Sequence, residues 1–277
     1  VAGRGDDELR EGMRSLRLPV MVKPADSSGS RGITKLETYD GDRALAAFGK
    51  ARGFSRSETV CVEEFLEGIE VGGDGILADG RFAFIAITQK YLRNFFVTGH
   101  RLPAGISAQD QARVVETLED CCRTLGYRNG PLNFDVIVDD GHATIIEISA
   151  RTGGNGIPAV ILRAAGIDVE EVALKAAMGE KIVLEEKRGA FRGCGSVVFG
   201  SAETGVLTRI GSLESLRSRV PGALELELAL REGQSVEAFD RNGCMIGYAV
   251  FDCADEGEYA MLSRRIVEAL NISVRKR

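Results

Sequence analysis

Two alternating runs, residues 132–138 and 143–149, meet at Asp139-Asp140-Gly141, and no other part of the 277-residue chain restricts the fold as tightly. Alternation with a period of two marks a strand that buries one face. An Asp-Gly pair between two such runs favours a tight hairpin turn. Pairing the runs about Gly141 sets Asp135 opposite Glu147, because 135 plus 147 is twice 141. Phe134, Val136, Val138, Ile146 and Ile148 then form an apolar stripe on the opposite face, to be covered by a helix or a second sheet. The two carboxylates share the open face. Like charges on facing strands repel, so the pair asks for a cation between them. Oxygen donors with no His or Cys nearby favour Mg²⁺ or Mn²⁺ over zinc. The plainer alternative is an exposed acidic sheet face.

The same patterns predict elements on either side. Residues 20–23 read as a buried strand that runs into the small-residue stretch 27–32 and then into a second strand at 33–36. A helix is expected over 42–52 with Asp42 as its cap, and a strand over 60–66. Residues 70–76 and 81–89 flank Asp79-Gly80, a second hairpin signal. A helix over 107–125 begins at Ser107 and stops at Gly126. Residues 158–178 read as two helical pieces broken near Gly166-Ile167-Asp168. Beyond Gly193 the chain is strand-rich (196–199, 224–230, 245–251) and closes with a helix over 256–270.

Composition narrows the class of function. With 44% hydrophobic and 27% charged residues, the chain has enough apolar mass for a sizeable core and is not a disordered polymer. A net charge of -6 lacks the surplus of Lys and Arg that sustained phosphate contact with nucleic acid requires. No apolar run approaches a membrane span. The six cysteines show no CxxC pair or metal-ligand spacing, so a reduced, cytoplasmic setting is expected. The first residues carry no apolar leader, and a start at Val1 rather than Met is read as missing upstream sequence. Glycine is over-used, at 34 residues, and clusters in places where the backbone must approach something closely.

Four places could carry chemistry. Lys23 precedes the loop of Ser27, Ser28, Gly29, Ser30, Arg31 and Gly32, whose amides and hydroxyls can fold over phosphate oxygens while the lysine adds charge. This is not a Walker loop, in which the lysine ends the loop and enters a helix. Residues 63–70 form a strand end between two parts of the chain, where acids and free backbone groups can read an adenine edge. Asp135 and Glu147 form the carboxylate pair. Arg151, two residues beyond the strand, offers a positive fork to a phosphoryl group or a carboxylate. Of the two histidines, His142 falls in a turn, and His100 sits in Gly99-His100-Arg101-Leu102-Pro103.

In this order the motifs resemble the ATP-grasp superfamily, over roughly residues 8–180. The stretch from Val22 to Gly32 resembles the loop of carbamoyl phosphate synthase large chains. Glu147-Ile148-Ser149-Ala150-Arg151-Thr152-Gly153-Gly154 and the stretch from Gly99 to Pro103 look more like the amino-acid ligase branch. The resemblance implies an α/β (α+β) chain in the ATP-grasp fold, with two mixed subdomains gripping ATP and a small C-terminal α/β cap. The segments implied are 1–62, 63–188 and 189–277, and the α/β domain that precedes the ATP-grasp region in family members is not in this chain.

Carried over residue by residue, Lys23 would contact the ATP phosphates and Ser27, Ser28, Gly29, Ser30 and Gly32 would form the lid. Glu63, Glu64 and Leu66 would hold the adenine, and Glu70 the ribose. Asp135 and Glu147 would hold Mg²⁺ (or Mn²⁺), joined by Ser149 where many members have Asn. Arg151 would stabilise the phosphoryl group in flight, and Gly153, Gly154 and Asn155 would shape the amino-acid pocket. His100, or a carboxylate that the motifs do not single out, would deprotonate the amine. The activity implied is ATP-dependent ligation of a small carboxylate to an amine through an acylphosphate, with no nucleic-acid or membrane partner and a homodimer among the states open to it. A carboxyphosphate-forming enzyme like carbamoyl phosphate synthase or biotin carboxylase, and a nucleotide-binding module without turnover, are the alternatives.

Overall fold

The structure, a computed structural model, describes residues 1–182, 184, 193–220 and 222–276. Contacts divide the chain into two compact units, and the expected boundary between residues 188 and 189 lies outside the described residues. The first unit comprises Val1–Glu67 with Asn94–Phe96 and Asp240–Gly243. It contains β1 (Ala2–Gly3), α1 (Asp6–Met13), β2 (Val20–Pro24), β3 (Thr34–Leu36), α2 (Gly41–Phe54) and β4 (Val60–Glu64). The strands form an antiparallel sheet in the order β1-β4-β2-β3. Val20, Val22, Val60 and Val62 on its covered face pack with Leu9, Ala44, Ala47 and Phe48 of the two helices. The cap of α2 is Asp40 rather than Asp42: Asp40 Oδ1 accepts the amides of Asp42 and Arg43, which places the helix start one residue earlier than the sequence suggests.

The second unit holds β5 (Ile69–Ala78), β6 (Arg81–Arg93), β7 (Phe96–Leu102) from Val97 onward, α3 (Ala108–Thr124), β8 (Gly130–Asp139) and β9 (His142–Ser149). After these come α4 (Ile157–Ala165), α5 (Val169–Ala177), β10 (Cys194–Phe199), β11 (Gly205–Arg209) and α6 (Leu213–Arg219). The chain closes with β12 (Ala223–Leu228), β13 (Ser235–Val236), β14 (Gly247–Asp252), α7 (Glu256–Leu270) and β15 (Ser273–Arg275). Its main sheet has eight strands in the order β12-β14-β10-β7-β6-β5-β8-β9. The carboxylate hairpin therefore forms one edge of a sheet that the C-terminal strands continue. β13, β11 and β15 make a separate small sheet.

Helix α3 is capped by Ser107, whose Oγ accepts the Asp110 amide, and its Val114, Leu118 and Cys122 cover the stripe of Phe134, Val136 and Val138. Ile146, expected in that stripe, is instead exposed. The turn pairs Asp139 with His142, so its centre lies between Asp140 and Gly141, and a bulge between Val136 and Asp135 then takes up one residue of β9. Ile145 takes the inward position that simple symmetry would give Ile146. Asp135 still faces Glu147 because the shift at the turn and the bulge cancel.

Candidate functional site

In the first unit, β2 and β4 are antiparallel neighbours with Met21 opposite Glu63. Lys23, two residues on, shares a face with Glu63, and its Nζ lies 2.5 Å from Glu63 Oε2. Glu64 is committed elsewhere. Its Oε2 accepts two bonds from the Arg17 guanidinium and its Oε1 accepts the Arg17 amide, and those bonds hold its carboxyl below the usual range. What remains for recognition around Glu64 is backbone. Among the described residues neither the N–H nor the C=O of Leu66 makes a hydrogen bond.

The small-residue loop begins at Asp26, whose carboxylate accepts the Ser55 hydroxyl and the amides of Arg56 and Ser57. Gly29, Ser30 and Gly32 all take left-handed backbone. Ser30 Oγ donates to Phe95 O at 2.7 Å, and Arg31 reaches back to Ser28 O. Ser27 Oγ is buried without a hydrogen-bond partner, an orphaned hydroxyl of the kind a phosphate oxygen would satisfy.

In the second unit the site is written as two rungs on the face of the sheet opposite α3, a face that is buried at Thr88 and Asp74 and exposed at Glu147. One rung aligns Thr88, Gly72, Asp135 and Glu147 on β6, β5, β8 and β9; the next aligns Asp74, Asn133 and Ser149. Lys90 stands beside the first rung, with Nζ 2.6 Å from Glu70 Oε1 and 2.7 Å from Asp135 Oδ2 and a side chain only 7% exposed. Burial works to lower its pKa, but Asp135 and Glu70 together leave it raised, so the ammonium keeps its charge. The sequence reading stops β6 at Gln89 and does not single out Lys90. The signal was the continued alternation from Thr88, which puts residue 90 on the same face.

Glu70, expected to face a ribose, is here the partner of Lys90. Asp135 Oδ1 points toward Gly72, where a Cβ would come within 2.7 Å of it. Glu147 is exposed, and Ser149 Oγ lies 3.4 Å from its Oε1. Among the described residues no group of three or more His, Cys, Asp and Glu is gathered for a metal. Two facing carboxylates, a hydroxyl beside one and room left by Gly72 beside the other still suit an oxygen-liganded Mg²⁺.

His100 has a different setting from the one expected. It is 2% exposed, its Nδ1 lies 2.9 Å from Thr88 Oγ1, and burial first and Lys90 second push its pKa down to about 3. Its surroundings suit a neutral ring that holds a position rather than one that takes a proton from an amine. Arg151 is exposed, and its Nη1 donates to Thr152 O.

The glycine-rich stretch after β9 is anchored from two sides. The Gly153 amide donates to Asp74 Oδ2 at 2.8 Å, and Ser196 Oγ on β10 donates to Asn155 O at 2.8 Å. The amides of Gly154, Asn155 and Gly156 make no hydrogen bond among the described residues and so remain available. The sequence puts Asp74 inside the strand expected over 70–76, but a lone Asp among glycines carries no sign of the Asn133 and Gly153 partners that hold it.

Comparison with known proteins adds to this geometry. The family described as "ATP-grasp domain" matches residues 16–159. The D-alanine--D-alanine ligase of Cupriavidus taiwanensis is 30% identical over 183 residues, which are 61% of this chain and 54% of that protein. Dapdiamide A synthase of Enterobacter agglomerans is 30% identical over 176 residues, 58% of this chain and 39% of the enzyme. The crystal structure of L-amino acid ligase from Bacillus licheniformis superposes with a TM-score of 0.75 at 19% identity, covering 95% of this chain and 65% of that one. The chain thus spans about half the length, or less, of these two curated relatives.

Proposed function

The chain belongs to the ATP-grasp family, and from that membership we propose that it is the nucleotide-binding part of an ATP-dependent carboxylate–amine ligase. The observation that carries the proposal is the rung of Asp135 and Glu147 with the Lys90 ammonium set against it. Lys23, Ser27, Ser28, Gly29, Ser30 and Gly32 bind phosphate oxygens. Glu63, the backbone of Glu64 and the free backbone of Leu66 take the adenine, and Glu70, through the oxygen that Lys90 leaves, takes the ribose. Asp135, Glu147 and Ser149 hold Mg²⁺ (or Mn²⁺), which when bound supplies charge neutralisation at the β- and γ-phosphates.

A small carboxylate, an amino acid by the branch resemblance, is held by Gly153, Gly154 and Asn155. Its oxygen attacks the γ-phosphorus, ADP leaves, and Arg151 stabilises the charge on the phosphoryl group in flight. The amine nitrogen then attacks the acyl carbon and inorganic phosphate leaves, forming the amide. Closure of the lid excludes water from the acylphosphate. His100 is assigned to positioning through Thr88, not to proton transfer.

The test is phosphate release from ATP and Mg²⁺ by the full-length protein, with pairs of amino acids, other small carboxylates and bicarbonate, read together with product mass. Release that needs two organic substrates and yields their condensation mass supports the ligase. Release with bicarbonate alone transfers the assignment to carboxyphosphate chemistry. Asp135→Asn and Glu147→Gln should each lower turnover by about 100-fold or more, as expected where a charge-stabilising group is removed.

A further inference from the structure

Asp74 is 1% exposed in the middle of β5, a position where a carboxylate survives only with partners. Its Oδ2 accepts the Gly153 amide at 2.8 Å, and its Oδ1 accepts Asn133 Nδ2 at 2.9 Å. Asn133, directly across on β8, also donates to Gly73 O at 3.0 Å, which fixes the orientation of its amide. The backbone of Gly153 lies directly on this pair, since a Cβ there would come within 2.8 Å of both Asn133 Nδ2 and Asp74 Oδ1.

Two and three residues on, the loop is fixed again. Ser196, fully buried on β10, donates to Asn155 O, and a Cβ on Gly156 would meet the Tyr248 ring of β14 at 2.7 Å. The rung of Asp74 is two residues along the sheet from the rung of Asp135, a spacing of about 7 Å set by the strand repeat. A loop held to that rung keeps a set distance from the carboxylate pair.

We propose that Asp74 and Ser196 are positioning residues for the acid substrate, fixing residues 153–156 from opposite ends so that the acid is presented at a set distance from the carboxylate rung. The inference takes the identity of what the loop holds from the ligase reading. Neither side chain touches the substrate; both act through the backbone of Gly153 and Asn155. The C-terminal strands thereby share in building the acid subsite, although the family match ends at residue 159.

The experiment uses the full chain and two readouts. The first is amide exchange at Gly153 without substrate, read by NMR in the unaltered protein and in Asp74→Ala, Asp74→Asn, Ser196→Ala and Ser196→Thr. Asp74→Ala should accelerate Gly153 exchange by about 100-fold or more while leaving the core amides of β8 protected. Asp74→Asn keeps an acceptor for Gly153 but sets a donor against Asn133, and should fall between.

The second readout is phosphate release with ATP, Mg²⁺ and the twenty proteinogenic amino acids taken in pairs, one as the acid and one as the amine. Asp74→Ala and Ser196→Ala should raise the KM for the acid by about 10-fold with the KM for ATP changed less than about twofold, and Ser196→Thr should restore it. Equal changes in both KM values, or Gly153 exchange at the unaltered rate, overturn the proposal. If no pair supports turnover by the unaltered protein, the ligase reading for proteinogenic amino acids fails, and exchange at Gly153 alone decides whether the clasp exists.

Discussion

At Gly72 a missing methyl group decides how Asp135 is held. A Cβ there would lie 2.7 Å from Asp135 Oδ1 and 3.1 Å from Phe134 O, so Gly72→Ala must push the carboxylate away from the Lys90 ammonium or spread the strands. Turnover dependent on Mg²⁺ should fall by about 10-fold or more with only a modest loss of stability. A variant as active as the original, assayed by phosphate release, would sink the assignment of Asp135.

Two buried titratable groups on this face, His100 and Asp74, respond to pH in opposite senses. His100 stays neutral down to about 3 whereas an unfolded chain binds that proton near 6.5, so its contribution is lost as pH falls through that window. Asp74, raised by burial from 3.8 to about 6, keeps its proton longer than the unfolded chain, so its contribution is lost as pH rises through that window. Relative to Asp74→Asn, the unaltered protein should therefore lose about 2 kcal/mol between pH 4.5 and 7 in urea unfolding. Parallel curves for the two proteins would show that Asp74 is not protonated in the fold. From sequence, Asp135 and Glu147 were legible because alternation identifies a face. Lys90 and Asp74 were not, because their roles depend on which neighbouring strands lie beside them.

At the scale of elements, the hairpin of β8 and β9 shows how a pattern can lead to the right pair by an inexact route. Symmetry about Gly141 placed Asp135 opposite Glu147, and the structure pairs them through a tighter turn and a bulge. Asp140 and Gly141 both have positive φ, the conformation that a two-residue turn between twisted strands requires. A Cβ at Gly141 would meet nothing within 4 Å, so substitution there tests backbone conformation alone. Gly141→Val should cost about 1–2 kcal/mol and Gly141→Asn much less, because Asn tolerates left-handed backbone. Equal costs in urea unfolding would mean that the turn is not the constraint. The bulge itself left no trace in the sequence, since Ile145 and Ile146 are the same residue and either could face inward.

At the scale of the whole molecule, each unit has its own apolar core, and stability should divide accordingly. Phe48 is fully buried among Val20, Val22, Ala44 and Val62 in the first unit. Phe48→Ala should cost that unit about 3–5 kcal/mol and lower one calorimetric transition while the other holds its temperature. A single transition that moves as one would show that the units melt together. The helices and hairpins of both units could be read locally, from caps, turns and periodicity. The joining of β10, β12 and β14 to the sheet of β5 to β9 could not, because such pairing depends on contacts across a hundred residues or so of chain.

That continuity bears on how the chain can be cut. Residues 99–102 find their outer partners only in Cys194 to Val197, well beyond residue 159 where the family match ends. A fragment stopped short of β10 would leave that stretch of β7 as a bare edge, a row of amides and carbonyls open to pairing with another copy of itself. The C-terminal strands therefore act as a guard against intermolecular sheet growth, and shortening the chain to the matched region would trade a folded protein for one prone to aggregate.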